Sequence, residues 1–434
     1  MHLLTYIKVA LIYFGKVSNA ENKNSLLELT MTHLTKITIA VASALLLSSN
    51  FAQANESQEQ ATSFAESLEN TEVKWHFRYR LEDVDQDNAL EDATASTLLS
   101  RVTLDTQTYN DFSFKLEVDN VSAVTNRDDY NSTLNGNTDY SVVADPEATE
   151  INQAALTYSG FDNTKVIAGR QRINLGTQRF VGGVGWRQNE QTYDGVLINN
   201  KSINNTNLTY AYVNNINTIT DGNVDTRSHF VNYDWSFLDN MSLNFYGYFL
   251  DFKETPLSST KTIGARYSLK PTSDTPFFVN AEYAKQSEYE DNPTNLDTDY
   301  QLLEVGYQMQ NINFIIAQEV LSGDDSVSGQ AFQTPLATKH KFQGWADQFL
   351  VTPDAGIEDT YFAVNAKFSM QSFGLVYHDF KAEATSQDYG SEIGVNYTAK
   401  IDENLTFVAK LADYSSDGYS VDTRKVWLML VANF

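Results

Sequence analysis

The sequence predicts an all-β protein: a closed, antiparallel, up-and-down transmembrane β-barrel of about eighteen strands, sixteen being the alternative count. Short turns would lie at the periplasmic rim and long loops at the extracellular rim. Three observations predict it. Period-two alternation of apolar and polar residues recurs along most of the chain. Long and short connections alternate between the alternating runs. The last run, "KVWLMLVANF", places Val426, Leu428, Leu430 and Ala432 on one face and stops on Phe434.

The first elements precede the barrel. From Met31 the chain reads "MTHLTKITIAVASALLLSSNFAQANES". His33 and Lys36 form a basic start, Ile37 to Leu47 an apolar core, and Ala52 and Ala54 a small-x-small cleavage site. That is the pattern of a secretory signal peptide. Residues 1–30 then read as an upstream extension, residues 31–54 as the signal peptide, and residues 55–71 as a short periplasmic segment. The competing reading is an N-terminal anchor, "LLTYIKVALIYF", which Lys8 interrupts.

The barrel is expected over residues 72–434. In "EVKWHFRYRLE", Val73, Trp75, Phe77, Tyr79 and Leu81 share one face, and Lys74, His76, Arg78 and Arg80 the other. Alternation at this period is the strand signature. Further strands are expected near 96–108, 112–121, 150–159, 164–173, 191–199, 207–214, 228–236, 241–252 and 260–269. The remaining eight lie near 276–286, 299–309, 312–320, 359–368, 373–382, 389–400, 404–413 and 423–434. Tight turns such as "YND", "GFDN", "FLDN" and "NIN" alternate with longer linkers, including 83–95, 122–149, 174–190 and 321–358. Asn, Asp and Gly favour such turns. Spanning β-strands need about 9–11 residues, which most of these runs reach. The terminal strand must pair with the first to close the ring, so its outward residues meet lipid and Phe434 sits at an interface where aromatics collect.

The inward faces read as polar, as a water-filled lumen requires; barrels of about 16–18 strands leave an aqueous channel. Parity places Arg78, Arg80, Arg101, Lys115, Arg170 and Arg172 inside from the first five strands, and Arg266 from the tenth. Asp251, Glu282, Glu304, Glu319 and Glu392 are expected inside from later strands. A basic wall facing an acidic wall would create a transverse field selecting charged solutes. The alternative is a lumen filled with neutralised charge pairs.

Other classes of function are disfavoured. The chain has 56 acidic residues against 30 Lys+Arg, a net charge of −26, and no Cys. There is no basic footprint for nucleic acid, and no thiol or Cys-ligated metal site. The acidic loop runs "LEDVDQDNALED", "NRDDY", "SEYEDN" and "SGDDS" read first as solvated surface and second as lipopolysaccharide contacts through divalent cations. Asp83, Asp85 and Asp87 do not make a calcium loop, because Asn88 and Thr94 stand where Gly and Glu are needed. A hydrolase would need a nucleophile–base pair, and His76, His229, His340 and His378 have no G-x-S-x-G near them. His340 beside two lysines is a poor metal ligand. A secreted β-sandwich adhesin does not suit the polar second face. No cofactor is expected.

Two stretches carry more than strand pattern: "GRQRINLGTQRFVGGVGWRQNEQTYDG" and "FQTPLATKHKFQGWADQFL". The first is glycine-rich and partly apolar, which suits a loop folded into the lumen as a constriction. The second lies in a segment too long for an idle linker, and "GWADQFL" is expected to form a short helix over the mouth. With the opening "FRYRLEDVDQDNAL", these stretches resemble the alginate-export family of outer-membrane channels. The resemblance implies an eighteen-stranded barrel passing an anionic polysaccharide or small hydrophilic solutes. It also implies that Arg170, Arg172, Arg179 and Arg187 belong to a conducting, Arg-rich lumen. The acidic later wall departs from that pattern and weighs against a polyuronate cargo. A terminal aromatic such as Phe434 resembles the signal read by the bacterial barrel-assembly machinery, and outer-membrane lipid and lipopolysaccharide would be the surrounding partners.

Overall fold

A computed structural model describes residues 60–434, Val327 excepted; the proposed leader lies outside the described residues. Eighteen strands form one sheet in which each pairs antiparallel with its sequence neighbours, and the first pairs with the last. The first nine are β1 (Glu72–Gln86), β2 (Ala93–Asp105), β3 (Phe112–Thr125), β4 (Ala148–Phe161), β5 (Thr164–Gln171), β6 (Thr192–Asn200), β7 (Thr206–Asn217), β8 (Asn223–Leu238) and β9 (Met241–Phe249). The second nine are β10 (Thr260–Leu269), β11 (Phe277–Glu288), β12 (Asp297–Met309), β13 (Ile312–Leu321), β14 (Ile357–Phe368), β15 (Gln371–Lys381), β16 (Asp388–Lys400), β17 (Leu405–Ser416) and β18 (Thr423–Asn433). Every expected strand overlaps one of these, so the count is eighteen rather than sixteen.

The alternation becomes two chemically distinct faces. Tyr79 stands opposite Leu430 and Leu81 opposite Leu428 on the outward face of the β1–β18 seam. Elsewhere Leu303, Ile316 and Phe362 are 56%, 60% and 48% exposed, while their strand neighbours Glu319 and Asp359 are buried. Large apolar side chains left exposed on a continuous sheet with a polar interior are the reverse of a soluble core and suit a lipid surround. Closure leaves no unpaired sheet edge, which hydrocarbon could not satisfy. Phe434 completes the seam: its N–H donates to the Trp75 carbonyl at 2.9 Å and its carbonyl accepts the Trp75 N–H at 2.9 Å, with its ring edge-on to Phe77.

One rim is made of tight turns. Asn110, Asp111, Asn163, Asn205, Gln310 and Ser369 take positive φ at these corners, a conformation that Asn and Asp tolerate best among residues with a Cβ.

Three local expectations need correction, and one element was not anticipated. Much of the 83–95 linker is strand, because the β1–β2 ladder continues to Val84 and Ala93. There the strands rise beyond the apolar band, so Asp83 and Asp85 are exposed and hydrophobic alternation no longer marks them. The "GWADQFL" stretch is not helical; the short helical piece is a 3-10 turn at Lys339–Lys341. Before β1 lies a six-residue helix, α1 (Phe64–Glu69), capped by the Ser63 side chain, which accepts the Glu66 N–H at 3.2 Å. Six residues are too few to show a helical period.

The third correction concerns the interior, which is not polar throughout. Tyr193, Phe230, Tyr246, Tyr248, Tyr300, Phe380, Tyr414 and Trp427 are all buried in one apolar cluster with residues of the inward loops. An aromatic at an inward position of a wide barrel needs something to cover it. The loops are that cover.

Candidate functional site

The segment 172–191 joins β5 to β6, and 322–356 joins β13 to β14. Both turn inward and lie against each other. Val181 and Leu336 form a parallel bridge, Gly182 N–H donates to the Leu336 carbonyl at 2.9 Å, and Thr338 N–H donates to the Gln178 carbonyl at 3.0 Å. The first loop is compact because Gly176, Gln178 and Val184 take positive φ, and its ends close through Gln191 N–H to the Gly183 carbonyl at 2.8 Å. Phe180 is the apolar anchor. Its ring packs 5.2 Å from Tyr246 and Tyr300, and 5.9 Å from Tyr248 and Phe332. The constriction expected from the glycine-rich stretch is therefore present, and the second loop builds it jointly.

The expected arginines hold these loops. Arg187 makes a two-pronged contact with Glu82 at 3.0 and 3.1 Å and lies 3.7 Å from both Asp145 and Asp347. Burial alone would pull its pKa down, but those three carboxylates more than offset this and raise it. Arg80, fully buried, donates to Asp145 at 3.1 Å and to the Trp186 carbonyl, with its guanidinium 4.6 Å from the Trp186 ring. Arg179 crosses to the opposite wall and donates to Glu319 at 2.7 Å, Thr334 at 3.2 Å and Gln343 at 3.0 Å. Tyr300 shares the same Glu319 oxygen at 2.7 Å. Arg172 donates to Glu117 at 2.8 Å and to Glu190, while Arg101 pairs with Asp119 at 2.6 Å and Glu190 at 3.2 Å. Arg78 meets only neutral acceptors: Gln188 and the Gly185 carbonyl at 2.8 Å each, and the Arg187 carbonyl.

The remaining expected residues are dispersed. Lys115 pairs with Asp105 at 2.6 Å and Arg266 with Glu282 at 2.6 Å. Glu304 accepts from Asn280 at 2.6 Å and from Tyr361 at 2.9 Å. A basic wall facing an acidic one does not form: Glu82, Glu117, Asp119, Asp145 and Glu190 interleave with the arginines and neutralise them in place.

Arg170 is misplaced by the parity reading. It stands opposite Ala154, which shares a face with the exposed Leu156, so Arg170 points outward with Val166 and Ala168. It pairs there with Asp194 at 2.8 and 3.1 Å. The two apolar residues of equal parity carried the signal, and its charge masked it. Replacing Arg170 by Gln should therefore leave ion selectivity unchanged in a planar bilayer; a shift comparable to that of a lumen variant would contradict this placement.

The sequence reading missed a second anchor. The Lys410 ammonium lies 3.8 Å from the Trp345 ring, 4.4 Å from Trp186 and 5.5 Å from Trp427, all measured to ring centroids. It contacts His340 Nε2 at 2.8 Å, and His340 Nδ1 contacts Asp347 at 2.7 Å. Lys425 pairs with the other Asp347 oxygen at 2.9 Å. His340 stacks on Trp186 at 4.2 Å, and burial pushes it down to about 3, so it stays neutral. Both loops and the β17–β18 wall meet here. His340 is thus a packing and hydrogen-bonding residue, and among the described residues no acidic or His cluster suits a metal ion. Trp427 at an inward position was the available clue.

Beside the first loop lies a cavity of about 620 Å³ lined in part by Lys165, Arg172, Asn174, Asn199, Asn207 and Thr209. Its donors suit a hydrated or anionic solute.

No protein-family model matches the chain, and no curated protein matches it. Solved structures do. The outer membrane protein OpdK from Pseudomonas aeruginosa aligns with a TM-score of 0.67 at 11% identity, over 85% of this chain and 99% of that one. P. aeruginosa OccK9 (OpdG) aligns at 0.66 and 12% identity with the same coverage. Acinetobacter baumannii OccAB2 aligns at 0.63 and 15% identity, over 85% and 99%. OpdK has also been solved with vanillate, at 0.64 and 11% identity. The alginate-export resemblance is supported only at its coarser level, and the chain shares the closed barrel fold of these bacterial proteins.

Proposed function

We propose that the protein is a porin-type channel of a Gram-negative outer membrane, through which small hydrophilic solutes diffuse passively. One observation carries this reading: a closed eighteen-stranded barrel with an apolar outer face encloses a partly polar lumen that two inward loops narrow. Binding and exclusion by lining side chains, not bond chemistry, is what such a lumen performs. Small anions and saccharides are the favoured solutes, given Lys165 and the amide side chains of Asn174, Asn199 and Asn207 in the cavity. The presence of vanillate, an aromatic carboxylate, in one OpdK structure agrees with that class. A long polyuronate chain fits less well, because Phe180 and its aromatic neighbours fill part of the cross-section. Liposomes bearing the purified protein should swell in small sugars and organic anions and not in polysaccharide. No swelling in any solute would contradict the reading.

Membrane lipid and lipopolysaccharide surround the barrel in this account, and Phe434 serves as the handle for assembly. Deleting Phe434 removes two main-chain hydrogen bonds at the seam, worth about 1–3 kcal/mol together. That is too little to unfold a barrel held by seventeen other seams. Assembly of the deletion variant should nevertheless fall severely in cells, while refolding into detergent stays near normal. Normal amounts of heat-modifiable protein in cells would remove Phe434 from this role.

A further inference from the structure

The arginines of the lumen are engaged, so the charge a solute meets must come from elsewhere. Arg80, Arg101, Arg172, Arg179, Arg187 and Arg266 each contact a carboxylate, and Arg78 is held by carbonyl oxygens. Lys425 pairs with Asp347, and Lys410 is enclosed by indole rings. On the inward loops themselves two cations remain without an acidic partner among the described residues: Lys339 and Lys341, both in the 3-10 turn.

The turn is built to present them. His340, between the two, is buried against Trp186, Asp347 and Lys410, which fixes the turn from behind. Lys341 is exposed, and its ammonium has one hydrogen bond, to the Thr177 carbonyl of the first loop at 3.0 Å, with the Phe342 ring 5.6 Å away. Lys339 is half-buried, and its ammonium makes no hydrogen bond or ion pair among the described residues. The acid that acts on Lys341 electrostatically, Glu304, is turned toward Asn280 and Tyr361, and Arg266 beside it is bound to Glu282. An ammonium in a narrow, low-dielectric passage has a strong, poorly screened field, and a missing counter-charge there favours a mobile anion.

We infer that Lys339 and Lys341 are the specificity-determining residues of the constriction, forming a subsite for the anionic group of a passing solute. This rests on the channel reading above. Carboxylate and phosphate groups share the required chemistry, and the lysine pair attracts either as point charges.

The test is the reversal potential of the full-length protein in a planar bilayer under a potassium chloride gradient. The wild type should favour chloride. The double variant Lys339→Gln/Lys341→Gln should lose anion preference by about tenfold, the lower end of what field focusing produces, with pore conductance retained. The Lys339→Arg/Lys341→Arg variant should restore it, which a merely structural role for the turn would not predict. Arg170→Gln, whose side chain faces outward, should behave as wild type. A pore that keeps its selectivity in the double Gln variant overturns the inference and leaves the channel reading intact. A wild-type protein that forms no pore overturns both.

Discussion

Replacing Arg187 with Met should widen the pore while leaving the barrel assembled. Arg187 is the point at which Glu82 of β1, Asp145 of the β3–β4 connection and Asp347 of the second inward loop converge. Taking away the guanidinium strips Glu82 of its two-pronged partner and leaves it only Arg80, 3.8 Å away; breaking a buried pair costs up to about 3–5 kcal/mol. The ladders of β1 to β18 are untouched, so the cost falls on the loop packing. The 172–191 loop should detach from the β1 wall, and single-channel conductance should rise and become noisier. The barrel should keep its heat-modifiable mobility in gel electrophoresis. Unchanged conductance would mean that Phe180 and the Lys410 site hold the loop without the Arg187 cluster.

The second large effect is expected at Arg179, the contact with the opposite wall. Arg179 is fully enclosed, with Tyr300 and Phe342 rings 5.6 and 4.8 Å from its guanidinium carbon. Arg179→Met should cost about 3–5 kcal/mol, because the buried Glu319 carboxylate is left with only Tyr300 and Gln343 as donors. Most of that loss comes from the stranded carboxylate rather than from the pair itself. Glu319→Gln in the Arg179→Met background should therefore recover much of it, since a neutral amide leaves no stranded charge. Proteolytic nicking of the loops in the intact barrel provides the readout: rapid in Arg179→Met, slower in the double variant. Additive sensitivity of the two substitutions would contradict a direct coupling between these residues.

Much of the barrel was legible because lipid on one side and polar groups on the other write a period of two. Val426, Leu428 and Leu430 show this in β18, and turn residues such as Asn163 and Asn205 mark the corners. Closure followed from the need to satisfy every edge. Where the two faces stop differing, the signal stops. In the upper parts of β1 and β2 the outward residues, such as Asp83 and Asp85, are polar while the inward Val84, Ala93 and Ala95 are apolar, so their true ends were missed. The constriction was legible only as a composition: glycines, a few apolar residues and arginines in one stretch. Which carboxylate each arginine meets depends on contacts such as Arg179 to Glu319, 140 positions apart. No local pattern encodes them. Arg170 shows the converse error, in which a charge was read as inward although Val166 and Ala168 of the same parity face outward. The Lys410 cage draws single tryptophans from two loops and one strand, so no segment could announce it.

The central claim is that this chain forms a narrow passive channel rather than a wide duct or a closed structural barrel. Single-channel recording of the purified protein in a planar bilayer tests it most directly. The account predicts discrete, weakly voltage-dependent openings of low conductance, reduced by small organic anions and enlarged by Arg187→Met. A membrane with no openings, or a large conductance indifferent to both, would contradict it.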